Sequence, residues 1–221
     1  MTGLTEKERA ALAACPLFGG TTEETAAAFA FFQGEVRRYR RGEFLHRMGE
    51  PLPRFAVVLS GTVEVGTVDF DGNQVLMATA APGETFGESL AYLHIPAAPV
   101  EIHTPEGAAV AWLSPAPLRE TPLSPEGERM LRRMTGMLAA RALSMNDRIQ
   151  ILSKKSLRER LCTYLTQCAR AAGSRTFSVP FDRERMAVYL GANRSALSRE
   201  LSVMQKEGLL TYYRNTFRLP E

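Results

Sequence analysis

Two arginines and two serines near the C-terminus have the types and the spacing needed to contact bases in a nucleic acid. The last three lie one, four and five positions after the first, which places them all on one face of a helix: Arg194, Ser195, Ser198 and Arg199. An arginine can donate two hydrogen bonds to guanine O6 and N7, and a serine can contact a base or a phosphate. The pattern therefore predicts a DNA-contacting helix face, with an ordinary solvated helix face as the alternative.

The residues around this face predict a winged helix-turn-helix. Asp182 can cap a first helix, Gly191 can end that helix in a tight turn, and Asn193 can cap the second helix. Two short strands, 209–213 and 216–219, are then predicted to pair as a hairpin, which forms the wing. In this arrangement the N-terminal end of the second helix meets the base edges in the major groove.

A β-rich domain is predicted for residues 35–119, after an alanine-rich helical region at 4–32. Short apolar runs alternate with turn residues, and Thr62–Val65 alternates with the period of a half-buried strand. Asp71-Gly72 lies between two such runs and predicts a hairpin turn. Strands at this short and regular spacing are typical of a jelly roll.

A long helix is predicted to follow the β-rich domain. Ser124-Pro125-Glu126 is typical of a helix start, and the helix that follows has roughly 28 residues and a length of about 40 Å. Apolar residues recur along it in steps of three and four: Leu131, Met134, Leu138, Ala142, Met145, Ile149 and Leu152. A long helix with a narrow apolar stripe usually pairs with another helix, so we expect a homodimer. Packing of the stripe on the β-rich domain of the same chain is the alternative.

Composition predicts a soluble, cytoplasmic chain. The hydrophobic share of 45% and the charged share of 23% are ordinary for a globular protein. The longest apolar run, Ala26–Phe32, is too short to cross a membrane, and three scattered cysteines argue against a disulfide scaffold. The net charge is −6 over residues 1–125 and +9 over residues 126–221. The basic half is therefore expected to meet a polyanion.

These motifs resemble those of the CRP/FNR superfamily of bacterial transcription regulators. The C-terminal signature occupies residues 183–210. Three upstream motifs follow the order of that family's cyclic-nucleotide-binding-type roll: RRGEF at 40–44, VLSGTVEV at 58–65 and PGETFGE at 82–88. The resemblance covers essentially the whole chain. It implies an α+β architecture with a sensor of double-stranded β-helix or jelly-roll fold, a long dimerisation helix and a winged helix-turn-helix.

The resemblance also implies domain boundaries and site residues. The sensor is expected at 1–123, the dimerisation helix at 124–153 and the DNA-binding domain at 154–221. The implied DNA-contacting residues are Arg194, Ser195, Ser198, Arg199, Arg183 and Asn193. The implied dimer residues are Leu131, Met134, Leu138, Met145 and Ile149. Many members of the family carry glutamate at the position of Ser195, and glutamate accepts a bond from cytosine N4, so the operator sequence does not transfer.

The effector is not identified by the sequence. The resemblance places a pocket at Phe86, Gly87, Glu88, Ser89 and Leu90. Nucleotide-binding members follow this segment with an arginine that holds the cyclic phosphate, but this chain has no arginine between Arg54 and Arg119. A buried phosphate without a cationic partner is costly, which argues against cyclic AMP or GMP in the usual pose.

Other effectors remain open at this point. Iron–sulfur members of the family use about four cysteines, whereas the three cysteines of this chain lie far apart. Haem is an alternative, and its candidate axial ligands are His46, His94 and His103. An apolar metabolite, or no small ligand at all, also fits the sequence. We expect no metal site.

The sequence as a whole predicts a dimeric DNA-binding regulator that is not an enzyme. Two recognition helices about 34 Å apart would read a pseudo-palindromic operator, and an effector would shift the long helix or a hinge near Ser153–Ser156. The basic run at 37–41 is interpreted as solvated residues at a strand end, and a contact surface for RNA polymerase is the functional alternative. A cupin-like metal enzyme is the alternative of another class, but it needs more metal ligands than three histidines without an H-x-H pair provide. A sensor that has lost DNA binding is the third hypothesis.

Overall fold

The fold divides the chain into two units, at residues 1–138 and 139–221. The structure is a computed structural model that describes residues 3–68 and 74–220. The predicted Asp71-Gly72 turn lies outside the described residues. None of the described helices is long and apolar enough to cross a membrane.

The first unit begins with two helices and continues as a β-roll. The helices are α1 (Glu6–Ala14) and α2 (Thr22–Phe31). The strands, with one short helix among them, are β1 (Glu35–Tyr39), β2 (Phe44–His46), β3 (Phe55–Gly61), β4 (Val63–Val68), β5 (Gln74–Ala80), β6 (Thr85–Phe86), α3 (Glu88–Tyr92), β7 (Glu101–His103) and β8 (Ala108–Leu113). Their described residues form two antiparallel sheets with strand orders β1-β8-β3-β6 and β2-β7-β4-β5. The predicted jelly-roll architecture is thereby confirmed.

The central strands β3 and β8 are buried on both faces. Phe55 and Val57 pack into a cluster with α1 and α2, whereas Ala56 and Val58 pack into the cluster between the two sheets. All six residues of β8 are buried. The uninterrupted apolar runs in these strands follow from this position, because a strand covered on both faces has no solvent side to alternate with.

The long helix α4 (Pro125–Leu152) has two different environments along its apolar stripe. Met134 is buried in the cluster with α1 and α2, and Leu131 and Leu138 pack partly buried against that cluster. Met145 and Ile149 are 60% and 62% exposed. The prediction of one continuous dimer stripe is therefore wrong for Met134, because its own chain already covers that side chain. The alternative of packing on the β-rich domain holds for this first part of the helix.

The second unit is a winged helix-turn-helix. After the end of α4 its elements are α5 (Leu157–Ala172), β9 (Thr176–Ser178), α6 (Arg183–Tyr189), α7 (Arg194–Lys206), β10 (Thr211–Tyr213) and β11 (Thr216–Arg218). The strands form an antiparallel sheet in the order β10-β11-β9. The predicted caps are confirmed, since Asp182 accepts a hydrogen bond from the backbone of Arg185 and Asn193 accepts one from the backbone of Ala196, both at 2.8 Å.

An ion pair between a buried glutamate and a half-exposed arginine holds the first helix to the roll. The carboxylate of Glu8, 4% exposed, accepts hydrogen bonds from both amino groups of Arg38 and from the backbone N–H of Thr5. The hydrogen bond from Arg38 is the main reason that the pKa of Glu8 falls from its ordinary value of 4.5 to about 2. The pair therefore stabilises the fold above pH 4.5, and this contribution is lost as the pH falls through about 2.

Replacing Glu8 with glutamine is expected to lower the free energy of unfolding of the roll by about 1–3 kcal/mol at neutral pH, because a charge-assisted bond is lost. The deficit should shrink as the pH falls from 4.5 toward 2, where the wild-type carboxyl also becomes neutral. Urea unfolding followed by the fluorescence of Trp112, the single tryptophan, measures this. Glu6→Gln, an exposed position on the same helix, is the control, and a deficit independent of pH would contradict the assignment.

Candidate nucleic-acid interface

Helix α7 turns its apolar side to the core and leaves its polar side exposed. Leu197, Leu201 and Met204 are buried, because they recur in steps of four and three along the helix. The four predicted DNA-contacting residues of the first turns are exposed together on the other side: Arg194, Ser195, Ser198 and Arg199. Within the part of the chain that the structure describes, no ion pair or side-chain hydrogen bond engages either arginine. Both guanidinium groups can therefore donate to a ligand.

Two further predicted contact residues are already engaged. The side-chain oxygen of Asn193 caps α7, so its amide N–H₂ remains as the group that can meet DNA. The guanidinium of Arg183 lies over the rings of Tyr212 and Phe217, at 4.8 and 5.2 Å, and donates to the carbonyl of Arg214 at 2.8 Å. Burial lowers the pKa of Arg183. The structure thus places Arg183 behind the wing, where it holds the β10–β11 turn.

The tip of the wing carries candidate contacts that the sequence reasoning missed. Arg214 has a positive φ of 51° and lies with its guanidinium 5.5 Å from the ring centre of Tyr213. Tyr213 is 73% exposed. An exposed cation beside an exposed aromatic ring suits a phosphate backbone. The signal was present in the sequence, but these residues were interpreted only as a hairpin turn.

Arg158, in α5, anchors the recognition helix α7. Arg158 donates to Glu200 at 2.6 Å and to Glu207 at 2.8 Å, and these two carboxylates raise its pKa. Glu200 lies in α7 and Glu207 is its C-cap. An ordinary solvated face, the alternative to a DNA-contacting one, could pair Glu207 with Arg199 at the surface. Because Glu207 pairs with Arg158 instead, Arg199 stays available on the exposed face.

The predicted effector segment lies at the start of α3, and its side chains have different environments. Phe86 is buried edge-on against Trp112, with ring centres 5.7 Å apart. Gly87 has a φ of 80°, and a Cβ there would lie 2.8 Å from a methyl group of Leu52. Ser89 is exposed, and Leu90 is half-buried against the cluster between the sheets.

Glu88 is the buried charged residue of this segment. It is 3% exposed and accepts a hydrogen bond from the hydroxyl of Thr85. The same hydroxyl lies 3.7 Å from the sulfur of Met137 in α4. The effector segment is therefore in direct contact with the first part of the long helix.

Arg119 reaches this region from a distant point in the sequence and is engaged at the end of α3. Its guanidinium donates to the carbonyls of Ala91 and Tyr92, at 2.7 and 3.0 Å, and contacts the ring of His94. It therefore satisfies the C-terminal carbonyl groups of α3. These two carbonyl groups engage one amino group of the Arg119 guanidinium.

The three histidines do not converge on one site. His46 is buried and its Nε2 has no partner within the described residues, while Nε2 of His103 lies 3.3 Å from a carboxylate oxygen of Glu64. His94 contacts Arg119. Among the residues that the structure describes, no group of three or more histidine, cysteine or acidic side chains is arranged to hold a metal ion.

Comparison with known proteins accounts for both units. The cyclic nucleotide-binding domain family matches residues 36–105, and the Crp-like helix-turn-helix domain family matches residues 159–221. The transcriptional activator protein anr of Pseudomonas aeruginosa is 25% identical over 180 residues, which cover 79% of this chain and 72% of that protein. The fumarate and nitrate reduction regulatory protein of Escherichia coli is 24% identical over 179 residues, which cover 77% of this chain and 69% of that protein.

Solved structures share the fold at lower sequence identity. The c-di-GMP responsive global regulator CLP of Xanthomonas campestris has a TM-score of 0.56 at 22% identity, over 87% of this chain and 96% of that one. CprK complexed with OCPA has a TM-score of 0.62 at 16% identity, over 86% and 89% of the two chains. The chain belongs to the CRP/FNR family of DNA-binding transcription regulators, in which an effector-binding domain is joined to a helix-turn-helix. Its relatives are regulators and not enzymes.

Proposed function

We propose that the protein binds a pseudo-palindromic operator in double-stranded DNA as a homodimer. The observation that carries this proposal is that Arg194 and Arg199, on the first turns of α7, are exposed and have no side-chain partner among residues 3–68 and 74–220. Arg199 is assigned to a guanine, and Arg194, Ser195 and Ser198 to neighbouring bases or phosphates. Arg214 on the wing is assigned to the phosphate backbone.

The dimer is proposed to form through the second part of α4. Met145 and Ile149 are mostly exposed, and Leu152 is 38% exposed. These residues recur in steps of four and three, so they form one apolar stripe that gains stability when a second helix covers it. A second copy of the chain provides the same stripe around a two-fold axis, and this symmetry would match the two halves of a palindrome.

The roll is proposed to bind an effector that is not a cyclic nucleotide in the usual pose. The chain has no arginine between Arg54 and Arg119 that could hold a cyclic phosphate in this segment, and a buried phosphate without a cationic partner is costly. A ligand that displaces the Thr85 hydroxyl would also disturb its contact with Met137, and in this way would bias α4 between two states. Cyclic AMP at saturating concentration is expected to leave the thermal midpoint of Trp112 fluorescence unchanged, and an upward shift would contradict this part of the proposal.

One location and one further partner follow from the proposed role. A regulator of this kind works where the chromosome lies, so the cytoplasm is the proposed location. Arg40 and Arg41, at the turn between β1 and β2, line a basic surface with Gly42 and are the proposed contact for RNA polymerase.

The proposal is tested by selecting binding sites from a pool of randomised DNA duplexes. The enriched sequence should be two-fold symmetric, with half-site centres about 10 base pairs apart. Its affinity should fall by about 0.9 log units per log unit of salt for each phosphate contacted. Failure to enrich any sequence would contradict sequence-specific binding.

A further inference from the structure

The C-terminal ends of two helices converge on the guanidinium of Arg160. Its Nε donates to the carbonyl of Lys154, just after α4, at 3.1 Å. One of its amino groups donates to the carbonyls of Leu190 and Gly191, at the end of α6, both at 3.2 Å. Carbonyl groups at helix C-termini lack backbone partners and carry partial negative charge. A single planar cation therefore satisfies two carbonyls at the end of α6 and one in the segment just after α4.

The same junction is closely packed. Gly191 has a φ of 64°, and a Cβ there would lie 3.2 Å from a methyl group of Leu152 and 3.4 Å from the amino group of Arg160. Ile151 is fully buried in the core of this unit, and the guanidinium of Arg148 lies 5.4 Å from the ring centre of Tyr189. The last turn of α4 is therefore part of the DNA-binding domain and lies directly behind the turn that precedes α7.

We propose that Arg160 is a positioning residue for DNA recognition. It joins the segment after the dimer helix to the turn from which the recognition helix begins, three residues before Arg194. A change at the end of α4 would then reach α7 through this side chain and the packing around it. The segment Ser153–Ser156, expected from the sequence to be a hinge, would act as a fixed link. The proposal rests on the DNA-binding function proposed above.

The test compares three variants of the full chain. Arg160→Ala removes the charge and the bridge, whereas Arg160→Lys keeps the charge but cannot reproduce the planar fork that holds both helix ends. Arg170→Ala is the matched control, since Arg170 is exposed on the same helix and its side chain makes no hydrogen bond or ion pair to the described residues. Each variant is titrated with the duplex selected by the wild type and with a random duplex, at several salt concentrations.

Both Arg160 variants are expected to lower the ratio of selected to random affinity about 10-fold, the effect of one lost base contact in the half-site. Arg160→Lys should keep the salt slope and the random-duplex affinity of the wild type. Arg170→Ala should weaken both affinities equally and leave the ratio unchanged, because it removes only a nearby charge.

An unchanged ratio in Arg160→Lys would overturn the proposal, because the charge alone would then be sufficient. If Arg160→Ala loses its helical circular dichroism, Arg160→Lys decides the question, since its aliphatic stem still packs. A wild type that does not distinguish the two duplexes would overturn the proposed function and this inference together. If the wild type distinguishes the two duplexes and Arg160→Lys keeps the same affinity ratio, this inference alone would be overturned.

Discussion

Replacing Arg199 with alanine is expected to weaken binding to the selected duplex by about 1–3 kcal/mol and to change binding to a random duplex little. The reason is that Arg199 is exposed on the second turn of α7, while Glu207 is paired with Arg158. Position 195, one helical turn before Arg199, is a serine and not a glutamate. It therefore carries no carboxylate that could pair with the guanidinium of Arg199. The group is therefore available for two hydrogen bonds to a guanine.

The matched control is Lys206→Ala. Lys206 carries the same charge on the same helix, but it lies in the last turn, away from the end that meets the groove. Its loss should weaken selected and random binding by the same small factor. Titration of both duplexes by fluorescence anisotropy measures these ratios. Equal losses on the two duplexes for Arg199→Ala would make Arg199 a phosphate contact and refute its role in base recognition.

Replacing Ile149 with aspartate is expected to convert the dimer to a monomer and to abolish binding to the selected duplex at the same time. Ile149 is 62% exposed in the single chain, so the substitution leaves its own fold intact. Across a two-fold seam, the two carboxylates would be desolvated close to each other, which is strongly unfavourable. Sedimentation velocity measures the state of assembly, and the duplex titration measures binding.

Leu143→Asp is the control for this experiment. Leu143 is 67% exposed on the same helix, but it lies six positions before Ile149 and therefore on a different face. The control should remain a dimer. Leu138 is a poorer choice than Ile149, because it packs against the core of its own roll and its loss would disturb folding. A dimeric Ile149→Asp protein would show that the seam lies elsewhere.

Local signals account for the parts of the fold that the sequence predicts well. Asn193 and Asp182 have the short polar side chains that cap helices, and Gly191 permits the positive φ at the turn between them. These residues act on backbone within a few positions of themselves. For this reason the helix-turn-helix and the exposed recognition face could be placed from sequence alone.

Tertiary contacts decide what the sequence could not predict. The apolar stripe on α4 shows which face avoids water, but not which surface covers it, and the roll covers Met134 while Ile149 stays exposed. Arginine is usually an exposed residue, so the sequence alone does not single out Arg183 or Arg160. Their roles depend on the wing, 31 positions from Arg183, and on the end of α6, 30 positions from Arg160.

Two copies of this chain are expected to bind one operator, and native mass spectrometry of the protein with the selected duplex measures this directly. The expected result is a complex with two copies of the 24.4 kDa chain on each duplex, and a single stable species at saturation. A duplex cut to one half-site should lose this complex, since the dimer would then have only one recognition helix in contact. A saturated complex with one chain per intact duplex would contradict the account.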